Sequence, residues 1–75
     1  MNEVFITRWD SKTMCVADLD AVFSSMEKAR ENISEHDTRL GWGMNRIHGD
    51  NATWERYVSS NKAVSVLIQC RTVGA

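Results

Sequence analysis

A single segment of the chain has the apolar spacing of a helix, and this restricts the fold more than any other feature. Met26, Ala29 and Ile33 recur at intervals of three and four residues, which places them on one side of a helix. Just before them, Ser24-Ser25-Met26-Glu27 contains the Ser-x-x-Glu pattern of a capping box, with Ser24 as the cap. The segment therefore predicts one helix over residues 25–36.

The same segment also allows a longer helix that begins at Asp18. Leu19 and Val22 would then extend the apolar side of the helix towards its N-terminus. Serine competes for backbone hydrogen bonds inside a helix and favours caps instead. Ser24 and Ser25 therefore favour an extended segment over 18–23 followed by the shorter helix, and the longer helix remains the alternative.

The segments around this helix have the composition and alternation of β-strands. The candidate strands are residues 4–9, 13–17, 44–48, 52–58 and 63–73, separated by turns at 10–12, 49–51 and 59–62. The last is the clearest, because Val64, Val66, Ile68 and Cys70 alternate with more polar residues. In 52–58, Trp54, Arg56 and Val58 are predicted to share one face, with Thr53, Glu55 and Tyr57 on the other.

These elements predict an α+β fold in the order β-β-α-β-β-β. One helix covers one face of an antiparallel sheet of four to five strands, because neither layer is stable alone. The 75 residues are expected to form a single domain over 1–75. A chain of this length buries only about 60% of its unfolded surface, so it has little room for a deep pocket as well as a core. Function is therefore expected at the surface.

Charge and hydropathy exclude several classes of protein. Lys and Arg number 9 and Asp and Glu number 10, so the net charge of −1 lacks the overall excess of a basic nucleic-acid binder or an acidic mimic, and only a local patch could serve either purpose. The apolar run Val4-Phe5-Ile6 is too short for a signal peptide, and no segment has transmembrane length. We expect a soluble, cytoplasmic protein that does not enter a membrane. Cys15 and Cys70 are expected to be free, buried thiols, with a disulfide between them as the alternative.

The residue types that carry catalysis or bind metals lack the required spacing. Cys15, Cys70, His36 and His48 form no Cys-x-x-Cys or His-x-x-x-His pair. Asp18 and Asp20 would share one face of a strand, but a solvated loop explains such a pair without a metal. Ser24 and Ser25 lack a nucleophile elbow and are explained as helix caps. The sequence predicts no enzyme, no metal and no cofactor.

Aromatic residues beside arginines are the strongest candidates for a binding site. Trp42 lies between two glycines and near Arg39 and Arg46, a composition typical of interface hot spots and also suited to stacking on an unpaired base. The alternative is that Trp42 folds back to close the core. Of the other two tryptophans, Trp54 and then Trp9 are expected in the core.

Basic residues on the strand and turn candidates form a second candidate surface. These residues are Arg8, Lys12, Arg46, Arg56 and Arg71. If several share the sheet face away from the helix, that face is locally basic despite the acidic net charge. The alternative is an ordinary solvated face.

The order of elements resembles that of some small phage-encoded anti-CRISPR proteins and uncharacterised phage or bacterial proteins. The matching parts are the run from Ala21 to Ala29, the segment Met44-Asn45-Arg46-Ile47, a strand that begins near Trp54 and, after a turn, a strand that ends near Cys70. The resemblance implies a stoichiometric inhibitor that binds a protein or ribonucleoprotein complex in the host cytoplasm and has no activity of its own.

Two functional hypotheses follow from the sequence. The first is a binding protein, such as a phage-encoded inhibitor of a CRISPR-type complex, with Trp42, Arg39 and Arg46 as its main contacts and Arg8 and Arg56 next. The alternative is a small nucleic-acid-binding module that uses a basic sheet face. An exposed edge strand is also compatible with a homodimer.

Overall fold

One antiparallel sheet and one helix account for the architecture of residues 2–50 and 52–73, which the computed structural model describes. The elements in chain order are β1 (Asn2–Ser11), a 3-10 turn (Ala17–Leu19), β2 (Ala21–Phe23), α1 (Met26–Leu40), β3 (Asn45–Gly49), β4 (Trp54–Val58) and β5 (Val64–Val73). Within the described residues the sheet has five strands in the order β2-β1-β5-β4-β3, and all neighbours are antiparallel. The predicted α+β fold is confirmed.

The helix begins where serine caps it and ends where glycine permits a left-handed residue. Ser25 has extended backbone, and its hydroxyl accepts a hydrogen bond from the Lys28 backbone N–H at 3.2 Å. The cap is therefore Ser25 and not Ser24, whose hydroxyl accepts from the Lys28 ammonium group. At the other end Gly41 adopts a φ of 68° and donates its N–H to Asp37. The helix was predicted to end at residue 36 but continues to Leu40, because no residue before Gly41 interrupts it.

The N-terminal strands differ from the predicted hairpin. β1 pairs with β5 along its whole length, from Asn2 opposite Val73 to Ser11 opposite Val64. Residues 10 and 11, which were predicted to belong to a turn, are therefore part of the strand. The predicted strand at 13–17 is absent, because the Ser11 hydroxyl accepts backbone N–H groups from Thr13 and Met14 and bends the chain.

The second strand is instead the three-residue β2, which lies in the segment predicted to be extended. It is held by side chains as well as by the ladder. The Ala21 N–H donates to the Thr7 hydroxyl at 3.1 Å, and the Asp20 carboxylate accepts the Trp9 N–H at 2.7 Å. The alternative helix from Asp18 is therefore wrong.

The core lies between α1 and one face of the sheet. Its buried apolar residues are Trp9, Val16, Met26, Ala29, Ile33, Val64, Val66 and Ile68. The prediction that Met26, Ala29 and Ile33 form the buried side of α1 is confirmed, as is the predicted buried side of β5. Trp54 was wrongly expected in the core: it is 39% exposed, because Glu55 and Tyr57 take the helix-facing positions of β4. In the described part of the chain, no helix is both long and apolar enough to cross a bilayer.

Candidate functional site

The sheet has one face packed under α1 and one face that the described elements leave uncovered. On β1 and β5, Thr7, Trp9, Val66 and Ile68 are buried on the helix side, and the residues between them alternate to the other side. We call this second side the open face. It consists of Val22 of β2, Asn2, Val4, Ile6, Arg8 and Asp10 of β1, Ser65, Leu67, Gln69, Arg71 and Val73 of β5, Trp54, Arg56 and Val58 of β4, and Asn45 and His48 of β3.

One cross-strand row of the open face is basic over four strands. Arg8 lies opposite Leu67, Leu67 opposite Arg56, and Arg56 opposite His48. Strands in a sheet are about 4.8 Å apart, so the backbones that carry Arg8 and Arg56 are about 10 Å apart, with Leu67 between them. The row therefore places one arginine on each side of the half-buried Leu67.

The neighbouring row brings an aromatic ring next to this basic row. Trp54 lies opposite Gln69, and Gln69 lies opposite Ile6. The Trp54 ring lies diagonally from His48, with their ring centroids 6.5 Å apart and their planes inclined by 31°. An exposed indole, an imidazole and an amide side chain thus occupy adjacent positions on the open face.

A β-bulge in β3 determines which side of the sheet its two cationic residues occupy. Arg46 lies opposite Tyr57 on the helix side, whereas His48 lies opposite Arg56 on the open face. Without the irregularity between them, residues two positions apart would share a face. The extra residue, Ile47, therefore sends Arg46 towards Glu55 and leaves His48 beside Trp54.

The open face carries more positive charge than the exposed side of α1. Asp10 is the single carboxylate among the open-face residues defined above, against Arg8, Arg56 and Arg71. Within residues 2–50 and 52–73, none of these three arginines forms an ion pair. The exposed side of α1 carries Glu27, Glu31 and Glu35 with Lys28 and Arg39. A near-neutral chain thus presents a locally basic sheet face.

A buried carboxylate connects α1 to β3 and β4 on the opposite side of the sheet. Glu55 is only 1% exposed and accepts two hydrogen bonds from Arg30, at 2.8 and 2.7 Å, in a bidentate pair. Arg46 lies 3.2 Å from the same carboxylate, and the Tyr57 hydroxyl donates to it at 2.9 Å. The Arg30 hydrogen bonds lower the pKa of Glu55 against the opposing effect of burial, with help from Tyr57 and Arg46. These contacts give Arg30, Arg46 and Glu55 a structural role.

The residues predicted as the main contact site lie in separate surroundings. The Trp42 ring packs against Trp9, with centroids 5.6 Å apart, and is half-buried. Arg46 binds Glu55, and Arg39 is exposed on the last turn of α1, 2.7 Å from His36 Nδ1. In the described part of the chain, no hydrogen bond or ion pair joins Trp42, Arg39 and Arg46 to one another. Arg8 and Arg56, in contrast, do share one surface.

Trp42 also lines a shallow apolar groove at the end of α1. The groove has a volume of about 410 Å³, and its other apolar walls are Met14, Val16, Leu19 and Leu40. Met14 is 51% exposed and Leu40 is 46% exposed. Trp42 therefore contributes to the edge of the core, as its alternative interpretation predicted, and still presents part of its ring to solvent.

The metal-binding residue types do not converge in the part of the chain that is described. No group of three His, Cys, Asp or Glu side chains there could hold a metal ion. Both cysteines are free, and Cys15 is exposed, so the prediction of a buried thiol was wrong at this position. Cys70 is partly buried, and its Sγ lies 3.2 Å from Glu3 Oε2. Burial raises the pKa of this thiol, and the Glu3 carboxylate raises it further, which disfavours a reactive thiolate.

Of the five basic residues predicted to share one sheet face, Arg8, Arg56 and Arg71 lie on the open face, whereas Arg46 lies on the helix side and Lys12 follows the end of β1. The sequence prediction missed two members of the open face, Trp54 and His48. The alternation of residues 52–58 already placed Trp54 on the same strand face as Arg56. His48 had no such signal, because its face depends on the bulge after Arg46.

Comparison with known proteins gives no independent indication of function. No protein-family model matches the chain, and no curated protein or solved structure is significantly similar to it.

Proposed function

We propose that this protein is a non-enzymatic, nucleic-acid-binding module whose contact surface is the open face of its sheet. The observation that carries the proposal is the presence of Arg8, Arg56 and Arg71 on one uncovered face, without ion pairs among the described residues and beside an exposed tryptophan. Three unneutralised guanidinium groups on one surface suit a ligand with regularly spaced phosphates. The exposed side of α1, where three glutamates outnumber Lys28 and Arg39, suits such a ligand poorly.

The proposal is tested by removing two positive charges from the open face and two from the helix. We expect Arg8→Gln with Arg56→Gln to weaken binding to a labelled oligonucleotide by about 25-fold at 0.1 M salt, since each phosphate contact on a single strand contributes a slope of about 0.7. The slope of log K against log salt should fall by about 1.4. Fluorescence anisotropy over a salt series measures both quantities.

The matched control is Lys28→Gln with Arg39→Gln, which gives the same net charge but changes only exposed positions of α1. We expect this variant to bind within about twofold of the unmodified protein, because charges distant from the ligand act mainly through a screened field. Equal weakening by both variants, or no binding to single-stranded or duplex oligonucleotides at low salt, would refute the proposal.

The groove beside Trp42 supports a second candidate function, binding to a protein surface. A half-buried indole among Met14, Leu19 and Leu40 has the apolar character of an interface centre. This is the site at which the hypothesis of a phage-encoded inhibitor of a CRISPR-type complex would apply. That hypothesis stays a prediction that rests on the order of elements alone.

For this second function we expect Trp42→Ala to retain the fold and weaken binding to a CRISPR-type ribonucleoprotein by about 2 kcal/mol or more. Co-purification with the complex and a melting curve would measure the two effects. If Trp42→Ala unfolds the protein, Leu40→Ala tests the same groove, and Val73→Ala is the control at another exposed apolar position. Unchanged binding in the groove variants would exclude the groove as the contact site.

A further inference from the structure

We propose that the nucleic acid bound by the open face is single-stranded, with unpaired bases stacked on Trp54 and His48. This inference rests on the proposed function and specifies its ligand. Its basis is the combination of two exposed rings and a cationic row on one uncovered sheet face.

The aromatic pair is accessible and adjacent to hydrogen-bonding side chains. Trp54, the first residue of β4, is 39% exposed, and its ring centroid is 6.5 Å from that of His48. Gln69 lies directly opposite Trp54, and its amide can donate to and accept from a base edge. Stacking on an indole requires a base whose face is free, and this condition is met by a single strand and not by the interior of a duplex.

The cationic row is positioned to contact the backbone of the same strand. Arg56 lies between His48 and Leu67, and Arg8 lies on the far side of Leu67. A chain that crosses the face from β3 to β1 would therefore meet His48 first, then Trp54 and Arg56 on β4, and then Arg8 on β1. Apolar contact with Leu67 would support the sugar and base between the two arginines.

The shape of this surface disfavours a duplex. Base pairs in the major groove are reached by an inserted helix or two-stranded ribbon. Here the single helix of the described residues lies on the other side of the sheet, and the open-face arginines are spread over β1, β4 and β5. A duplex could contact these arginines through phosphates alone, without using Trp54.

The test compares ring-preserving and ring-removing substitutions with single-stranded and duplex DNA of one sequence. We expect Trp54→Leu to weaken binding to a single strand by about tenfold, whereas Trp54→Phe should retain most of the affinity, since stacking contributes roughly 5- to 150-fold per base. Neither substitution should change the salt slope, because neither removes a charge. Duplex binding should be weaker and insensitive to both.

Intrinsic fluorescence gives a second measurement that does not depend on affinity. Saturating oligo(dT) should quench the unmodified protein more than the Trp54→Phe variant, because Trp9 is buried and Trp42 packs on it. If duplex and single strand bind equally and Trp54→Leu has no effect, the inference is wrong while the proposed function stands. If neither DNA binds, both are wrong. A melting curve of each variant verifies that it is folded.

Discussion

Replacing Arg30 with methionine is expected to reduce the free energy of unfolding by about 3 kcal/mol. The substitution keeps the aliphatic stem on α1 but removes both short hydrogen bonds to Glu55, a carboxylate that is 1% exposed. Arg46 at 3.2 Å and the Tyr57 hydroxyl would remain as its partners. A buried charge that loses its main partner costs more than the pair contributed. Urea unfolding followed by circular dichroism would measure the change.

The double variant Arg30→Met with Glu55→Met should recover most of this loss, because it removes the buried charge together with its partner. Lys28→Met is the matched control, since Lys28 is exposed on the first turns of the same helix, and we expect it to change stability by less than about 0.5 kcal/mol. A single variant as stable as the control, or a double variant less stable than the single, would contradict a structural role for this pair.

The pH dependence of stability gives an independent measurement of the same carboxylate. The pKa of Glu55 in the folded protein lies below its ordinary value of 4.5, so its stabilising contribution is complete above that pH and is lost as the pH falls through the lowered pKa. Asp50 behaves similarly, because hydrogen bonds from Thr53, Ala52 and Trp54 lower its pKa. The Arg30→Met and Glu55→Met double variant retains Asp50. It should therefore lose less stability in acid than the unmodified protein.

Shortening Ile68 to alanine is expected to cost about 3 kcal/mol, the second large effect. Ile68 is fully buried on the central strand β5, between Thr7 of β1 and Glu55 of β4. Truncation leaves a cavity that the surrounding strands cannot fill without distorting the sheet. Because so small a domain has limited stability, this variant could unfold altogether. Ile68→Val, with an expected loss of about 1 kcal/mol, keeps the measurement informative.

The matched control is Leu67→Ala, one residue earlier on the same strand. Leu67 belongs to the open face and is half-buried between Arg8 and Arg56, so we expect a loss of less than about 1.5 kcal/mol. Chemical denaturation of Ile68→Ala, Ile68→Val and Leu67→Ala compares the stability contributed by the two sides of the sheet. Equal losses for Ile68→Ala and Leu67→Ala would show that the open face is covered in solution.

The elements that the sequence predicts well are those whose pattern is long and local. Met26, Ala29 and Ile33 indicate the helix, and the alternation from Val64 to Cys70 indicates β5 and its buried side. β2 could not be located in this way, because it has only three residues. It depends on the Thr7 hydroxyl, which accepts from the Ala21 N–H, and on the Asp20 carboxylate, which accepts from the Trp9 N–H. Such contacts between distant residues leave no periodic signal in the sequence.

The candidate site was predictable in its charges but not in its arrangement. Arg8 and Arg56 were assigned to a basic face, yet their common row follows from strand pairing with Leu67. Trp54 was expected in the core, but the buried position of β4 is taken by Glu55, a residue type that is rarely fully buried without a partner. The partners of Glu55 come from α1 and β3, and Arg30 precedes it by 25 residues, so their convergence appears only in the folded chain.

The bulge in β3 makes the number of residues in this strand as important as their identity. Removing Ile47 would restore simple alternation, so that one of the two cationic residues beside it would have to change sides. Either Glu55 would lose its contact with Arg46, or Trp54 would lose its contact with His48. We therefore expect homologous chains to vary freely in the side chain at this position while preserving the length of the segment from Asn45 to Gly49.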